Sequence, residues 1–451
     1  MAKAKKAKIA IEDILLPIDE HPYEIPQNWC WVKHNGVLDI SGGSQPAKSY
    51  FISEPTEGYI KMYQTRDYGD NPVPVYIPEK YATKTTVEGD ILLARYGGSL
   101  GKVFRAHEGA YNVALAKVIK LYPDLIDDEY LYKYYFTQFY QDFCVKASKG
   151  RSAQAGFNRD DMNNIPFPLP PLAEQRRIVE QIESLFSKLD EANEKAQEVI
   201  DRIETNIEAI LYNAFSGKLT QYWRKENGVD YNWEKSTLSK IVSGLKYGSS
   251  EKCDYNNNGT PVLRIPNIGE GVIDFSDLKY MQGELENSSH EVFENDILII
   301  RSNGSRDLVG KCAIVPALER RYAYASFLIR IKASDKVLPK YLVRYINSSM
   351  ARGQLFAKAK SSSGIHNINS KELGSIRIDV PTIEEQTEIL KIIDPLIKKE
   401  LDVKDITSNM IENIAELKKS ILAKAFRGEL GTNVSLEESS IELLKKTIEE
   451  G

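Results

Sequence analysis

Cysteine and histidine are scarce in this chain of 451 residues, with four and five copies. Cys30, Cys144, Cys253 and Cys312 stand alone, and no two share the CxxC spacing. Isolated cysteines at this density argue against a disulfide framework and give a zinc site no local support. The histidines are scattered and form no metal-binding tract, so no metal and no cofactor is expected. Long apolar runs are missing too. Ile297-Leu-Ile-Ile300 is strand-sized, far short of the roughly 18–20 residues of a membrane span. The basic start Met1-Ala-Lys-Ala-Lys-Lys-Ala-Lys8 leads into Glu12 and Asp13 without a small-residue cleavage site, so it does not read as a secretory signal. A cytoplasmic location without membrane contact is the expectation. Positive charge is not in excess: the net charge is -5, which argues mildly against a naked nucleic-acid binder.

ATP-binding and hydrolytic motifs are also absent. Gly97-Gly-Ser-Leu-Gly-Lys102 invites comparison with a phosphate-binding loop. That loop needs four residues between its glycines and Ser or Thr after its Lys. Here the glycines at 97 and 101 are too close and Val103 follows; the counterpart from Gly304 to Gly310 is too long and Cys312 follows Lys311. No Ser–His–Asp set or paired-carboxylate motif stands out. What remains is an ordinary soluble composition, 42% hydrophobic and 27% charged. It has material for about three domains.

The chain is one design written twice. Ile165-Pro-Phe-Pro-Leu-Pro-Pro-Leu-Ala-Glu-Gln175 answers to Ile376-Arg-Ile-Asp-Val-Pro-Thr-Ile-Glu-Glu-Gln386. The match runs without a gap to Ile210-Leu-Tyr-Asn-Ala-Phe-Ser-Gly217 and Ile421-Leu-Ala-Lys-Ala-Phe-Arg-Gly428. Upstream, Asp90-Ile-Leu-Leu-Ala-Arg95 matches Asp296-Ile-Leu-Ile-Ile-Arg301, Gly101-Lys102 matches Gly310-Lys311, and Asn28-Trp29 matches Asn232-Trp233. A unit of about 200 residues is too long for a solenoid repeat and is a duplicated domain with its helix.

Each copy ends in a long helix. Pro170, Pro171 and Pro381 sit where a helix begins, Glu174 and Glu385 suit its positive end, and Gly217 and Gly428 suit its left-handed exit. Ile178, Ile182, Leu185, Leu189, Val199 and Ile203 predict a heptad seam on the first helix. Ile389, Ile393, Leu396, Val403, Met410 and Ile414 predict one on the second. Two copies of one seam point to helices that pair with each other. Parallel pairing would place both globules at one end, so the pairing is expected to be antiparallel. About 40 helical residues span about 60 Å, a stiff ruler between the two globules. Residues about 26–170 and 230–380 carry short β-type runs, including Pro74–Ile77, Asp90–Ala94, Ala116–Leu121, Pro261–Ile265, Asp296–Ile300 and Ser326–Ile331. An aromatic helical stretch follows in each: Glu129–Phe136 and Pro339–Ile346. The fold class is α+β.

The duplication, the Pro-rich lead into a Glu-Gln helix start, the Ala-Phe-x-Gly-x-Leu helix ends and the opening Pro22-Tyr-Glu-Ile-Pro-Gln-Asn-Trp29 together resemble the specificity subunit of type I DNA restriction–modification systems. The resemblance covers nearly the whole chain. It implies two homologous α+β target-recognition domains separated by two long conserved helices that form an antiparallel coiled coil, with a pseudo-two-fold. It implies a non-catalytic subunit that reads a bipartite site in double-stranded DNA. Its partners would be two adenine-N6 methyltransferase subunits and the restriction/translocase subunits. The expected division is an N-terminal arm (1–25), recognition domain 1 (26–171), helix 1 (172–222), recognition domain 2 (223–382), helix 2 (383–432) and a C-terminal tail (433–451). The second helix start lacks the full Pro-Leu-Pro-Pro-Leu run of the first. The Asn/Asp-Pro-Pro-Phe/Tyr loop that grips a flipped adenine is absent as well; Asn71-Pro-Val-Pro is the nearest string.

DNA binding needs cations for phosphates and Arg, Asn, Gln or Ser for base edges. Arg301, Arg306, Lys311, Arg320 and Arg321 outnumber Asp307 and Glu319, and Arg352, Lys358 and Lys360 form a stretch without acids. The candidates in the first copy are Arg95, Tyr96, Ser99, Lys102, Lys149, Arg151, Ser152 and Gln154. In the second copy they are Arg301, Asn303, Arg306, Lys311, Lys358, Lys360 and Ser362. Arg95 and Arg301 recur at one place in the repeat, which fits either a shared contact or a shared scaffold role. Residues that differ between copies suit the reading of different bases. The rivals are a coiled-coil adaptor whose globules bind protein without DNA specificity, and an enzyme with an unseen catalytic motif.

Overall fold

The computed structural model describes residues 10–149, 156–163, 165–282, 285, 288–358, 360–362 and 365–450. Five helices matter below: α1 (Asp128–Tyr134), α2 (Leu172–Phe215), α3 (Pro339–Asn347), α4 (Ile383–Ala425) and α5 (Ser440–Glu450). The long pair, α2 and α4, has 44 and 43 residues. Each begins just past its proline and exits at a left-handed glycine, Gly217 at φ 75° and Gly428 at φ 73°. A residue with a Cβ is strained in that conformation. α4 runs through Pro395 without ending.

The chain divides into two units, one of Met1–Lys195 with Met410–Gly451, the other of Ala196–Asn409. In the first, an antiparallel sheet runs in the order Leu38–Gly42, Leu115–Lys120, Ile91–Ala94, Val103–Arg105. Alternate side chains of Ile91–Ala94 face opposite ways. Ile91 and Leu93 enter the core that holds Tyr130, Leu131 and Tyr134, whereas Leu92 and Ala94 join Tyr111 and Leu115. Burial on both faces is why this strand is apolar throughout. A second sheet runs Tyr76–Pro78, Tyr59–Tyr63, Gly109–Tyr111, Thr85–Thr86. The expected strand Pro74–Ile77 starts only at Tyr76. Cys30–Lys33 pairs with Pro166–Leu169 in a two-stranded ribbon, where prolines are tolerated because the far edge has no ladder to feed.

The second unit repeats this plan. Val242–Tyr247, Leu328–Ala333, Ile297–Ile300 and Cys312–Ile314 lie in the same order, with Gly271–Val272 added. Ile297 and Ile299 face the core shared with α3; Leu298 and Ile300 face a second core. Glu234–Thr237 pairs with Arg377–Val380.

Helix ends and helix starts meet inside each unit. In the first, Ile178 and Ile182 share a core with Leu422, Ala425 and Phe426, and Lys418 pairs with Asp190. In the second, Leu211, Ala214 and Phe215 share a core with Ile389 and Ile393. There Asn206 donates to Glu400 at 3.4 Å and Lys404 meets Glu204 at 3.5 Å. The start of one helix lies against the end of the other, so the pair is antiparallel. The Ala-Phe-x-Gly ends seat on the aromatic helices. Phe215 packs on Tyr341 and Tyr345 at 5.3 and 5.1 Å, and Phe426 on Tyr130 and Tyr134 at 4.8 and 6.0 Å. α5 completes the first unit by burying Leu444.

Of the expected heptad seam, Ile178, Ile182, Ile203, Ile389, Ile393 and Ile414 are buried. Ile178, Ile182, Ala196, Ile203, Leu211 and Ala214 are buried on α2, and their counterparts Ile389, Ile393, Thr407, Ile414, Leu422 and Ala425 on α4. From Ile182 to Ile203 and from Ile393 to Ile414 these buried positions recur at multiples of seven residues, and they shift by one position only at Leu211, Ala214, Leu422 and Ala425 near the helix ends. The alternate heptad positions face outward. Val199, Leu396, Val403 and Met410 are exposed, Leu185 and Leu189 are half-buried, and Ile397 is buried in place of Leu396. Among the described residues, no helix is long and apolar enough to cross a membrane, and no three His, Cys, Asp or Glu gather as a metal site.

Candidate nucleic-acid interface

The Glu-Gln pair at each helix start is the seat of each globule. Glu174 is buried and accepts the Trp29 indole N–H at 2.7 Å; Glu385 accepts that of Trp233 at 3.0 Å. Beside Glu174, Asn433 donates to it at 2.8 Å. Glu385 also receives the Thr220 hydroxyl at 2.6 Å and pairs with the buried Arg224. Burial raises the Glu174 pKa, and its hydrogen bonds from Trp29 and Asn433 act against that. The glutamines clamp the entry to α1 and α3. Gln175 accepts from the Asp127 N–H and donates to the Leu125 and Pro170 carbonyls. Gln386 accepts from the Leu338 N–H and donates to the Lys336 and Pro381 carbonyls. The repeat exposes these residues in the sequence, but not that Trp and Glu are partners.

On this base the Arg95 loop of the first unit meets residues 156–157, and the two candidate segments of the second unit meet each other. In the first, Tyr96 bridges Gly156 and the Phe157 N–H donates to the Arg95 carbonyl at 3.3 Å. Arg95 is half-buried and occupied: its Nε donates to the Phe157 carbonyl at 3.2 Å and a terminal nitrogen to the Tyr96 hydroxyl at 2.7 Å. Ser99 ends a single turn at Gly97–Ser99, Lys102 is exposed, and Lys149 is exposed at the end of the helix Gln138–Lys149. Arg151, Ser152 and Gln154 lie outside the described residues.

In the second unit, Ser302–Asn303 pairs with Ile365–Asn367, which pairs with Lys360–Ser362. Asn303, Lys360 and Ser362 are thus on strands of one small sheet, and Arg301 immediately precedes its first strand. The Asn303 side chain accepts the Ser305 N–H at 2.7 Å, shaping the turn. Arg306 is exposed over the Phe356 ring at 5.0 Å. Lys358 is committed elsewhere, donating to the Ser375 hydroxyl at 2.5 Å. Lys311 lines a cleft of about 310 Å³ with Arg344, Arg352 and Lys404, facing Glu204 and Glu270. Burial lowers the Arg352 pKa; its guanidinium donates to the Asp307 carbonyl.

Several cations lie over aromatic rings, and a sequence reading misses those whose partners are far apart in the chain, Arg320 with Tyr280, Lys279 with Tyr255 and Arg301 with Tyr247. Arg320 lies over Tyr280 and Tyr322, Lys279 over the exposed Tyr255, and Arg301 over Tyr247. In the first unit, Tyr50 and Tyr81 stack at 4.3 Å beside Lys80. The planar guanidinium groups and the stacked rings suit both phosphates and base faces.

A family profile described as "Type I restriction modification DNA specificity domain" matches residues 26–202 and again residues 231–413. The EcoKI specificity subunit of Escherichia coli K12 is 26% identical over 94% of this chain and 95% of that protein. The MjaVIII specificity subunit of Methanocaldococcus jannaschii is also 26% identical, over 91% of this chain and 95% of that protein. A solved structure described as the basis of complex assembly and conformational transition of the type I R-M system shares the fold. Its TM-score is 0.69 at 20% identity, over 91% of this chain and 100% of that one.

Proposed function

The chain belongs to the type I restriction–modification DNA specificity family, as the non-catalytic specificity subunit of such a complex, and from that premise we propose how it works. Recognition domains 26–171 and 223–382 each read one half of a bipartite site in double-stranded DNA. The long helices recruit two adenine-N6 methyltransferase subunits and the restriction/translocase subunits, in the cytoplasm. The observation that carries this reading is the duplicated globule, seated twice by the same Trp–Glu–Gln arrangement but ending in different loops. One scaffold with two loop sets is what two different half-sites require. Within the loops, Tyr96, Ser99, Lys102, Lys149, Arg151, Ser152 and Gln154 serve the first half-site, on a frame that Arg95 holds through Phe157 and Tyr96. Arg301, Asn303, Arg306, Lys311, Lys358, Lys360 and Ser362 serve the second. Leu396, Val403 and Ile406, exposed on α4, support helix-to-helix docking of a partner subunit.

The test is to express the chain with its methyltransferase subunits and sequence native DNA for methylated adenine. A two-part motif with unread bases between its halves supports the proposal. Methylation without a motif, or complex formation without DNA binding, would support the adaptor instead.

A further inference from the structure

The two copies carry the same arginine in different surroundings. Gly43 and Gly248 are counterparts: Ser44 and Ser249 donate to the Tyr111 and Tyr324 carbonyls, and a Cβ on either glycine would press on backbone oxygen at about 2 Å. The residue before each glycine faces the recurrent arginine. In the first copy that residue is Gly42, and a Cβ there would lie 2.3 Å from a terminal nitrogen of Arg95. Arg95 therefore lies flush against the sheet and over the ring of its neighbour Tyr96 at 4.9 Å, with its Nε held by the Phe157 carbonyl and one terminal nitrogen by the Tyr96 hydroxyl. In the second copy it is Tyr247. Arg301 stacks on that ring with its guanidinium carbon 4.8 Å from the centroid. Its Nε is buried with no hydrogen-bond partner, and among the described residues no hydrogen bond or ion pair holds its terminal nitrogens.

The platform is rigid. The Tyr247 hydroxyl accepts the Ser370 N–H at 2.8 Å and lies 3.2 Å from the Ser370 hydroxyl. The Arg301 backbone is pinned as well, donating to the Phe327 carbonyl at 3.0 Å and accepting from the Ile368 N–H at 2.8 Å. A stacked guanidinium points its donors outward in one plane, in the fork that matches O6 and N7 of guanine. Holding it beforehand reduces the ordering cost of binding.

We propose that Arg301, presented by Tyr247, reads a guanine in the half-site of the second domain, whereas Arg95 is scaffold. This rests on the function proposed above. A phosphate contact is needed equally by both domains and gives no reason for the copies to differ; a base contact does.

The experiment uses the full chain co-expressed with its methyltransferase subunits. Native-DNA sequencing compares wild type with Arg301→Lys, Arg301→Ala and Tyr247→Leu. Arg301→Lys keeps the charge and loses the fork. It should cut discrimination at one guanine, in one half-site, by roughly 5- to 150-fold. The other half-site should be unchanged, and Tyr247→Leu should relax the same position. The idea is overturned if neither half-site needs guanine. It is overturned equally if Arg301→Lys keeps the motif while Arg301→Ala lowers methylation of every site alike, the mark of a phosphate contact. Should Arg301→Ala not fold, Arg301→Lys and Tyr247→Leu decide. A wild-type complex without any two-part motif sinks the underlying function instead.

Discussion

His34 is buried with its Nε2 2.8 Å from the Tyr135 hydroxyl, and burial pushes its pKa from 6.5 down to about 3, with Asp39 pulling the other way. The unfolded chain takes up a proton near pH 6.5 that the folded chain refuses. The stability His34 contributes is present above pH 6.5 and is lost as pH falls toward 3, by up to about 1.4 kcal/mol per pH unit. In the second copy Leu238 occupies the equivalent place, also buried. Hydrogen exchange at pH 7 and pH 5 should therefore show the first unit loosening, and His34→Leu should remove the difference. Glu385 is the other residue whose loss is costly. Glu385→Ala leaves the buried Arg224 charge and the Trp233 indole without their acceptor. The expected loss is about 3–5 kcal/mol in urea unfolding.

At the scale of elements, adjacent residues on α4 separate two descriptions of the helix pair. Leu396 is 42% exposed and Ile397 is 2% exposed. Leu396→Ala should change stability by less than about 0.5 kcal/mol, and Ile397→Ala should cost about 2–5 kcal/mol. A heptad seam demands the opposite order, so denaturant midpoints decide. The sequence shows the repeat and the helix limits because Pro, Glu-Gln and Gly are punctuation that only one backbone path satisfies. It does not show which stripe faces inward. α4 carries one aliphatic series through Leu396, Val403 and Met410 and another through Ile389, Ile393 and Ile414, and only three-dimensional packing chooses between them. The same holds for the candidate site. Arg95 and Arg301 follow near-identical strands, and what distinguishes them is Gly42 or Tyr247, more than 50 residues earlier in the chain.

For the whole molecule, charge and chain path set the behaviour. With a net charge of -5 the chain has few cations to spare for phosphates, which supply much of DNA affinity. At physiological salt the isolated chain should bind its site more weakly than the methyltransferase complex does; equal affinity in a titration of both would contradict this. The path matters in a different way. The second unit is one continuous stretch, Ala196–Asn409, but the first is closed by Leu422, Ala425, Phe426 and Leu444. On a ribosome, the half made first is therefore the half finished last. About 230–250 further residues must be added before its core can shut, roughly 12–50 s at ordinary elongation rates. A ribosome that stops after Asn409 would release a chain whose later half is whole and whose earlier half lies open. Limited proteolysis of that product should digest residues 26–171 first and spare residues 230–380, so an error at the end of the message would erase the recognition encoded at its beginning.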